Sequence, residues 1–136
     1  RLRPGALEGR TLKDALEKTI REYQILSNLQ VNLNYEWIDV DMDVMIEDTI
    51  FRVIQESMTN AVRHGHASHM DLHFFEDEED YMIELQDNGV GFETLTYGYG
   101  LKQMMERISI LGGQLQFESR DGFFTRVSLP KYKEGR

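Results

Sequence analysis

The chain has 136 residues, a formal net charge of -9 at pH 7, 40% hydrophobic residues and no cysteine. This length and composition predict one soluble domain with one core, and the lack of cysteine excludes disulfides and thiolate metal sites. The acidic balance argues against nucleic acid as the main partner, and no apolar run reaches the roughly 20 residues that a membrane-spanning helix needs.

The first half of the chain predicts two helices separated by a strand. Residues 1–10, RLRPGALEGR, are expected to be irregular because they contain proline and glycines. The next segment predicts an amphipathic helix capped by Thr11, with an apolar stripe formed by Leu12, Leu16, Ile20, Tyr23 and Leu26. VNLNYEW alternates like a strand. Residues 41–65 then carry the longest helical pattern, whose stripe is Val44, Ile50, Ile54, Met58 and Ala61 or Val62.

The second half predicts four strands and one helix. MDLHFFE and YMIELQD are expected to pair as a hairpin, and a glycine-rich loop, DNGVGFETLTYGYGL, follows them. A helix over LKQMMERISILGG precedes two last strands, QLQFES and FFTRVSLP. The order of elements predicts a two-layer α/β sandwich, with a mixed, largely antiparallel sheet and helices on one face. The phosphate-loop pattern GxxxxGK[ST] and the dinucleotide pattern GxGxxG are both absent.

Candidate chemistry begins on the second helix. Glu56, Asn60 and Arg63 follow one another at spacings of four and three residues, which places them on one helix face. Carboxylate and carboxamide oxygens suit Mg²⁺, which takes its remaining ligands from water and phosphate, and a guanidinium suits the phosphate charge. The same spacing is also typical of a solvated helix face, so the pattern alone leaves both interpretations open.

The glycine-rich loop is the second candidate. Gly89 and Gly91 allow close approach of another group to the backbone, and Asp87 ends the preceding strand, where a carboxylate could accept from an exocyclic amine such as that of adenine. Gly98 and Gly100 come directly before a helix, whose first N–H groups would favour phosphate. Taken alone, DNGVG is equally consistent with an ordinary turn.

Four histidines lie close together in the sequence, and they are His64, His66, His69 and His73. They form no helical pair at a spacing of four residues, and no carboxylate accompanies them at a recognisable metal-binding interval. We therefore do not predict a dedicated metal site at these histidines.

The order of three segments is more specific than any one of them. QESMTNAVRH, then DNGVGF, then GYGL before a helix resembles the ATP-binding domain of sensor histidine kinases, within the GHKL ATPase superfamily. The resemblance covers nearly the whole chain. The short glycine-to-glycine interval and the run GLKQMMERISILGG resemble the subfamily that pairs with response regulators carrying a LuxR-type DNA-binding domain.

The resemblance also implies a domain division. LRP near the start of the chain resembles the junction that follows the phosphoacceptor helices in that subfamily. Residues 1–10 are accordingly predicted to be a linker remnant after a missing dimerisation and phosphoacceptor domain. Residues 11–132 are predicted to be the ATP-binding catalytic domain.

The resemblance implies a role for each site residue. Asn60 would bind Mg²⁺, and Glu56 would hold a metal-bound water or act as general base toward the attacking histidine. Arg63 and His64 would approach the phosphates, and Asp87 would accept a hydrogen bond from the adenine amino group. The implied cofactors are therefore ATP and Mg²⁺.

Further residues would shape the pocket. Gly89 and Gly91 would border the base, and Thr125 matches a family threonine near adenine, although Phe124 stands where the family usually has glycine. The segment FETLTY would form a short lid, and it contains no lysine or arginine. The far hinge of this lid, with backbone N–H groups for the phosphates, would consist of Gly98, Tyr99, Gly100 and Leu101.

The partners implied are the kinase's own dimerisation and phosphoacceptor domain and a response regulator, without nucleic acid or direct membrane contact. No histidine precedes His64, so the chain is expected to bind ATP without phosphorylating itself in cis. The isolated chain would be a monomer, and the full-length kinase a homodimer whose catalytic part is cytoplasmic. The alternatives are an anti-sigma-factor-type serine kinase of the same superfamily, a non-catalytic nucleotide-responsive module and an acidic interaction domain.

Overall fold

The computed structural model describes residue 7 and residues 9–38, 40–92 and 99–131. These residues form helices and strands in the predicted order. The elements are α1 (Leu12–Ser27), β1 (Gln30–Tyr35), α2 (Val44–Arg63), β2 (His69–Glu76), β3 (Asp80–Asp87), α3 (Tyr99–Ile110), β4 (Gln114–Ser119) and β5 (Phe123–Pro130).

The strands form one sheet in the order β1-β2-β3-β5-β4. β1 runs parallel to β2, and each of the other neighbouring pairs is antiparallel. The register places Leu72 beside Leu85, Leu85 beside Thr125, and Thr125 beside Phe117. The predicted mixed, largely antiparallel sheet is confirmed.

The helices cover one face of this sheet. Ile54 of α2 and Ile108 of α3 share a single buried cluster with Leu72, Ile83 and other inward residues of the strands. Because successive strand residues point to opposite faces, the residues in this cluster mark the covered face. The predicted two-layer sandwich is confirmed.

The opposite face of the sheet has its own packing arrangement around Phe124. The guanidinium carbon of Arg120 lies 3.6 Å from the centroid of the Phe124 ring, and that of Arg126 lies 5.2 Å away. Arg126 Nε also donates to Glu84 Oε2 at 2.8 Å. Phe124 is therefore only 3% exposed although it lies on the face away from the helices, where cations stack on its ring.

Helix α1 begins as predicted, but its last two turns continue beyond the residues that are buried. Thr11 caps it by accepting the Asp14 N–H at 3.1 Å. Leu12, Leu16 and Ile20 are buried, whereas Leu26 is 84% exposed. The prediction that Leu26 lies on the buried stripe is wrong, because every buried residue of α1 precedes the last two turns of the helix.

The segment before α1 contributes to the core. Leu7 is fully buried in the main hydrophobic cluster, and its carbonyl accepts the Arg10 N–H at 2.9 Å. Leu7 lies inside the segment predicted to be a linker. Residues 1–6 and residue 8 of that segment are not among the described residues. In the ranges that the structure describes, no helix is long and apolar enough to cross a bilayer.

Candidate functional site

A cavity of about 470 Å³ lies between α2, the loop after β3, the start of α3 and β5. Residues far apart in the sequence meet at its walls. The predicted site residues that line it are Glu56, Asn60, Arg63, His64, Asp87, Gly91, Gly100, Leu101 and Thr125. The candidate residues on the helix and those in the glycine-rich loop therefore belong to one cavity.

Asp87 occupies one end of this cavity and is held by backbone groups. Its Oδ1 accepts the N–H of Gly89 at 2.8 Å and that of Phe123 at 2.9 Å. Its Oδ2 has no hydrogen-bond partner among the residues that the structure describes. The side chain is thus fixed through one oxygen, and the other oxygen remains available to a donor group of a ligand.

The loop that follows Asp87 is braced against the link between α2 and β2. Asn88 Oδ1 accepts the backbone N–H groups of Ser68 and His69, each at 2.9 Å. Gly89 packs on Gly65 so closely that a β carbon at residue 89 would lie 2.5 Å from the Gly65 carbonyl oxygen. Gly89 therefore does not line the cavity itself, but it permits the backbone contact that supports Asp87.

Glu56, Asn60 and Gly100 lie at the other end of the cavity. The Glu56 side chain lies against Gly100 at the start of α3, where an added β carbon would come 2.8 Å from Glu56 Oε2. Asn60 follows one turn later on α2 and lines the same cavity. A carboxylate, a carboxamide and the partly positive N-terminus of a helix consequently meet here.

The oxygen atoms at this end of the cavity suit a hard divalent cation that takes its other ligands from water and phosphate. Glu56 and Asn60 offer oxygen atoms, which Mg²⁺ prefers. Across the described ranges no group of three or more acidic or histidine side chains could enclose a metal by itself. A bound Mg²⁺ would therefore complete its coordination with water and with phosphate oxygens.

The remaining predicted residues fall into three groups. Arg63 and His64 are exposed at the end of α2 and border the cavity. Thr125 is 2% exposed and faces the cavity, whereas its bulky neighbour Phe124 points to the opposite face of the sheet. Gly98 lies outside the described residues, as does the predicted lid from residue 93 onward. Tyr99 begins α3, but its side chain is also outside the description.

Several cavity residues were not predicted, and these are Ser57, Gly65, Met70, Phe92 and Phe123. The two phenyl rings lie 5.1 Å apart at 59°, and Phe117 packs edge-on against Phe123 at 5.5 Å. They give the Asp87 end of the cavity an apolar wall suited to a flat heteroaromatic ring. The signal for Phe92 was its place in DNGVGF, whereas Phe123 requires knowledge of the strand register.

Comparison with known proteins identifies the chain's relatives. Signal transduction histidine-protein kinase/phosphatase UhpB of Salmonella typhimurium is 35% identical over 136 residues, covering 96% of this chain and 27% of that protein. Sensor histidine kinase LiaS of Bacillus subtilis is 30% identical over 131 residues, covering 94% of this chain and 36% of that protein. The chain thus spans only about a third, or less, of the length of these relatives.

Solved structures show the same fold. Histidine kinase AdeS of Acinetobacter baumannii superposes with a TM-score of 0.76 at 19% identity, covering 90% of this chain and 64% of that one. The blue-light activated histidine kinase EL346 of Erythrobacter litoralis gives 0.75 at 19% identity, covering 90% and 42%. At such identity the likeness concerns the fold alone.

The family itself is shown by a sequence profile. The profile of the histidine kinase-, DNA gyrase B-, and HSP90-like ATPases matches residues 45–133, which is more than half of the chain and includes the whole cavity. Membership of an ATPase family implies ATP binding, and the predicted resemblance to sensor histidine kinases is confirmed. The chain therefore belongs to the histidine kinase-, DNA gyrase B- and HSP90-like ATPase family.

Proposed function

We propose that this chain is the catalytic, ATP-binding domain of a two-component sensor histidine kinase, with bounds at residues 11–132. It binds Mg-ATP and donates the γ-phosphoryl group to a histidine on the kinase's own dimerisation domain. The observation that carries this proposal is the single cavity that joins the free oxygen of Asp87 to the oxygens of Glu56 and Asn60. The names of the relatives UhpB and LiaS support the choice of histidine kinase.

The Asp87 end of the cavity would hold the adenine base. Oδ2 of Asp87 accepts a hydrogen bond from the exocyclic amine, while Oδ1 continues to accept hydrogen bonds from two backbone N–H groups. Phe92 and Phe123 supply the apolar wall beside the ring. Gly91 brings the backbone close to the base, and Thr125 reaches it through a water molecule.

The Glu56 end would hold the triphosphate. Asn60 binds Mg²⁺, and Mg²⁺ when bound neutralises charge on the phosphate oxygens. Arg63 and His64 add positive charge or hydrogen-bond donors from the end of α2. Backbone N–H groups at the start of α3 meet the phosphates, as expected for a helix N-terminus, and the residues that supply them are Gly98, Tyr99, Gly100 and Leu101.

Phosphoryl transfer then needs positioning and charge neutralisation more than covalent help from the protein. The bond from the γ-phosphorus to the oxygen that bridges it to the β-phosphate breaks, and a phosphorus–nitrogen bond to the imidazole forms. ADP leaves with the electron pair of the broken bond. Glu56 would take the proton that the imidazole loses; if Glu56 instead holds a water molecule bound to Mg²⁺, that proton would pass to solvent.

The chain's partners would lie outside its 136 residues. The dimerisation domain supplies the acceptor histidine and makes the full-length kinase a homodimer, whereas the isolated chain is a monomer. The phosphoryl group passes on to an aspartate of a response regulator with a LuxR-type DNA-binding domain. The domain works in the cytoplasm, and residues 1–10 connect it to the acceptor helices, with Leu7 anchored in the core.

Two other functions use the same cavity. An anti-sigma-factor-type serine kinase would phosphorylate a serine of a partner protein, and a nucleotide-responsive module would bind Mg-ATP without transferring phosphate. The sensor kinase relatives favour the histidine kinase over both. The nucleotide-responsive module would differ in two measurements. It would bind Mg-ATP even after Glu56 is replaced, and it would transfer no phosphate even with Glu56 in place.

Nucleotide titration is the first test. We expect wild type to bind ATP more tightly with Mg²⁺ than without it, and the Asn60→Ala variant to lose this difference. Asn34→Ala, an exposed asparagine of β1 away from the cavity, is the matched control. No binding by wild type at millimolar ATP would refute the proposal, and undiminished Mg²⁺ dependence in Asn60→Ala would refute the metal assignment.

Transfer to an acceptor is the second test. The chain is mixed with radiolabelled ATP and a separate fragment of the acceptor helices of the same kinase. We expect an acid-labile phosphorylated histidine that disappears in Glu56→Gln while ATP binding persists. Glu106→Gln on the exposed side of α3 is the control and should transfer normally. An acid-stable phosphoserine, or transfer that survives Glu56→Gln, would contradict the proposed chemistry.

A further inference from the structure

The last residue of β4 and the turn that follows it, residues 119–122, pack directly against the loop that carries Gly91 and Phe92. Ser119 Oγ accepts the Phe92 N–H at 2.9 Å. Gly91 has φ 65, and a β carbon there would collide with Ser119 Oγ and the Gly122 carbonyl. Gly122 has φ 133, and a β carbon there would collide with the Asp87 carbonyl. Both glycines are needed because two backbones meet.

The same turn is tied to the end of β3. Gln86 Nε2 donates to the Asp87 carbonyl at 2.8 Å and to the Arg120 carbonyl at 3.1 Å. Arg120 Nε lies 3.3 Å from Gln86 Oε1. Phe123, directly after the turn, donates its N–H to Asp87 Oδ1. The turn and the first residue of β5 therefore help to position the Asp87 carboxylate, together with the Gly89 N–H.

Phe92 is held from two sides by this arrangement. Its N–H is bonded to Ser119, and its ring packs 5.1 Å from the ring of Phe123. Phe123 is itself packed against Phe117 of β4. The carboxylate and both rings of the base end are therefore positioned by the junction of β4 and β5, although neither Ser119 nor Gly122 lines the cavity.

We infer that Ser119 is a positioning residue for recognition of the nucleotide base, acting through Phe92. The inference rests on the proposed function, because it concerns the base end of the same cavity. Removing the hydroxyl leaves the Phe92 N–H to water and leaves Phe92 held only by the packing of its ring on Phe123, so Phe92 must be ordered further when the base binds. Because this hydrogen bond is solvent-exposed, we expect a moderate effect of about three- to tenfold on affinity.

The inference predicts which measurements change. The Ser119 hydroxyl bonds to the loop that carries Gly91 and Phe92, at the base end of the cavity, so the Ser119→Ala variant should bind ATP and ADP more weakly by the same factor. The increase in affinity that Mg²⁺ gives should not change, since Asn60 and Glu56 lie at the other end. In the transfer assay KM for ATP should rise by a similar factor while kcat stays at the wild-type value.

The experiment compares Ser119→Ala with Ser119→Thr, which keeps the hydroxyl, and with Ser109→Ala, an exposed serine of α3 outside the cavity. Affinities for ATP and ADP are measured by calorimetry with and without Mg²⁺, and the unfolding temperature is measured without nucleotide. We expect Ser119→Thr and Ser109→Ala to match wild type. We expect Ser119→Ala to unfold at the wild-type temperature within about 2 °C, since exposed side-chain changes alter stability little.

Three results would overturn the inference. The first is wild-type affinity in Ser119→Ala. The second is loss of affinity for ATP without loss for ADP, which would place the effect at the phosphate end. The third is loss of affinity that Ser119→Thr fails to restore. If wild type itself binds no ATP, the proposed function fails together with this inference, whereas wild-type binding that Ser119→Ala leaves unchanged refutes only the role of Ser119.

Discussion

Replacing Asp87 by asparagine separates its two tasks, which are support of the loop and recognition of the ligand. In Asp87→Asn the carboxamide oxygen can accept the same two N–H groups, from Gly89 and Phe123, that Oδ1 accepts now. The amide nitrogen then takes the place of Oδ2. It is a donor, and it faces the donor amine of adenine, so the variant keeps the fold and loses the ligand contact.

The expected magnitudes follow from these contacts. A hydrogen bond to a charged group is worth about 1.5–3 kcal/mol, so Asp87→Asn should weaken ATP binding about 10- to 150-fold. The unfolding free energy without nucleotide should stay near wild type. Asp87→Ala removes the acceptor of both N–H groups, and at about 1–3 kcal/mol for each group left unpaired it should lose roughly 2–6 kcal/mol of stability.

Calorimetric titration with ATP and GTP, together with urea unfolding, tests this reasoning. Guanine carries a carbonyl oxygen where adenine has its amine, so the new amide donor should narrow the preference for ATP over GTP. Asp41→Asn, an exposed carboxylate outside the cavity, is the control. Wild-type ATP affinity in Asp87→Asn would refute the role of Oδ2. A loss of stability equal to that of Asp87→Ala would refute the assignment of Oδ1.

Three further predictions test other parts of the molecule. Gly89→Ala places a β carbon 2.5 Å from a backbone oxygen of the α2–β2 link, so both urea stability and ATP affinity should fall, and wild-type values would contradict that contact. Leu7→Ala should cost about 2–5 kcal/mol in urea unfolding because the side chain is fully buried, whereas Leu26→Ala, 84% exposed, should change stability by less than about 0.5 kcal/mol. Burial, with a smaller contribution from the charge of Glu47, raises the pKa of Tyr35 to about 12. The unfolded chain ionises this phenol near pH 10, so wild type should lose stability relative to Tyr35→Phe as pH rises from 10 to 12, and parallel curves would contradict this.

Periodicity predicted the elements well because each helix and strand has one buried face. It could not tell how far a buried face continues, since that depends on what lies beneath it. Leu26 continues the stripe of Leu12 and Leu16 in the sequence, yet the last two turns of α1 contain no buried residue. Leu7 shows the converse, because a segment without periodic pattern still supplies a fully buried side chain.

The candidate site was predictable where residues follow one another at helical spacing or within one loop. Glu56 and Asn60 are examples, and the structure brings both to the cavity. Contacts between distant segments were not predictable. Phe123 bonds to Asp87, 36 residues away, only because β5 pairs with β3 in one particular register. Ser119 meets Phe92 for the same reason, through β4 pairing with β5.

The contacts between the loop after β3 and the end of α2 fix the distance between the two ends of the cavity. Val90 donates its N–H to the Gly65 carbonyl at 3.0 Å, and Asn88 bonds to the start of β2. Because α2 also carries Glu56, the separation between base and phosphate groups is set by the fold rather than by the nucleotide. Under the proposed function ADP therefore makes every base contact that ATP makes. ADP would then compete with ATP for the same cavity, so phosphoryl transfer would depend on the ADP concentration as well as on that of ATP.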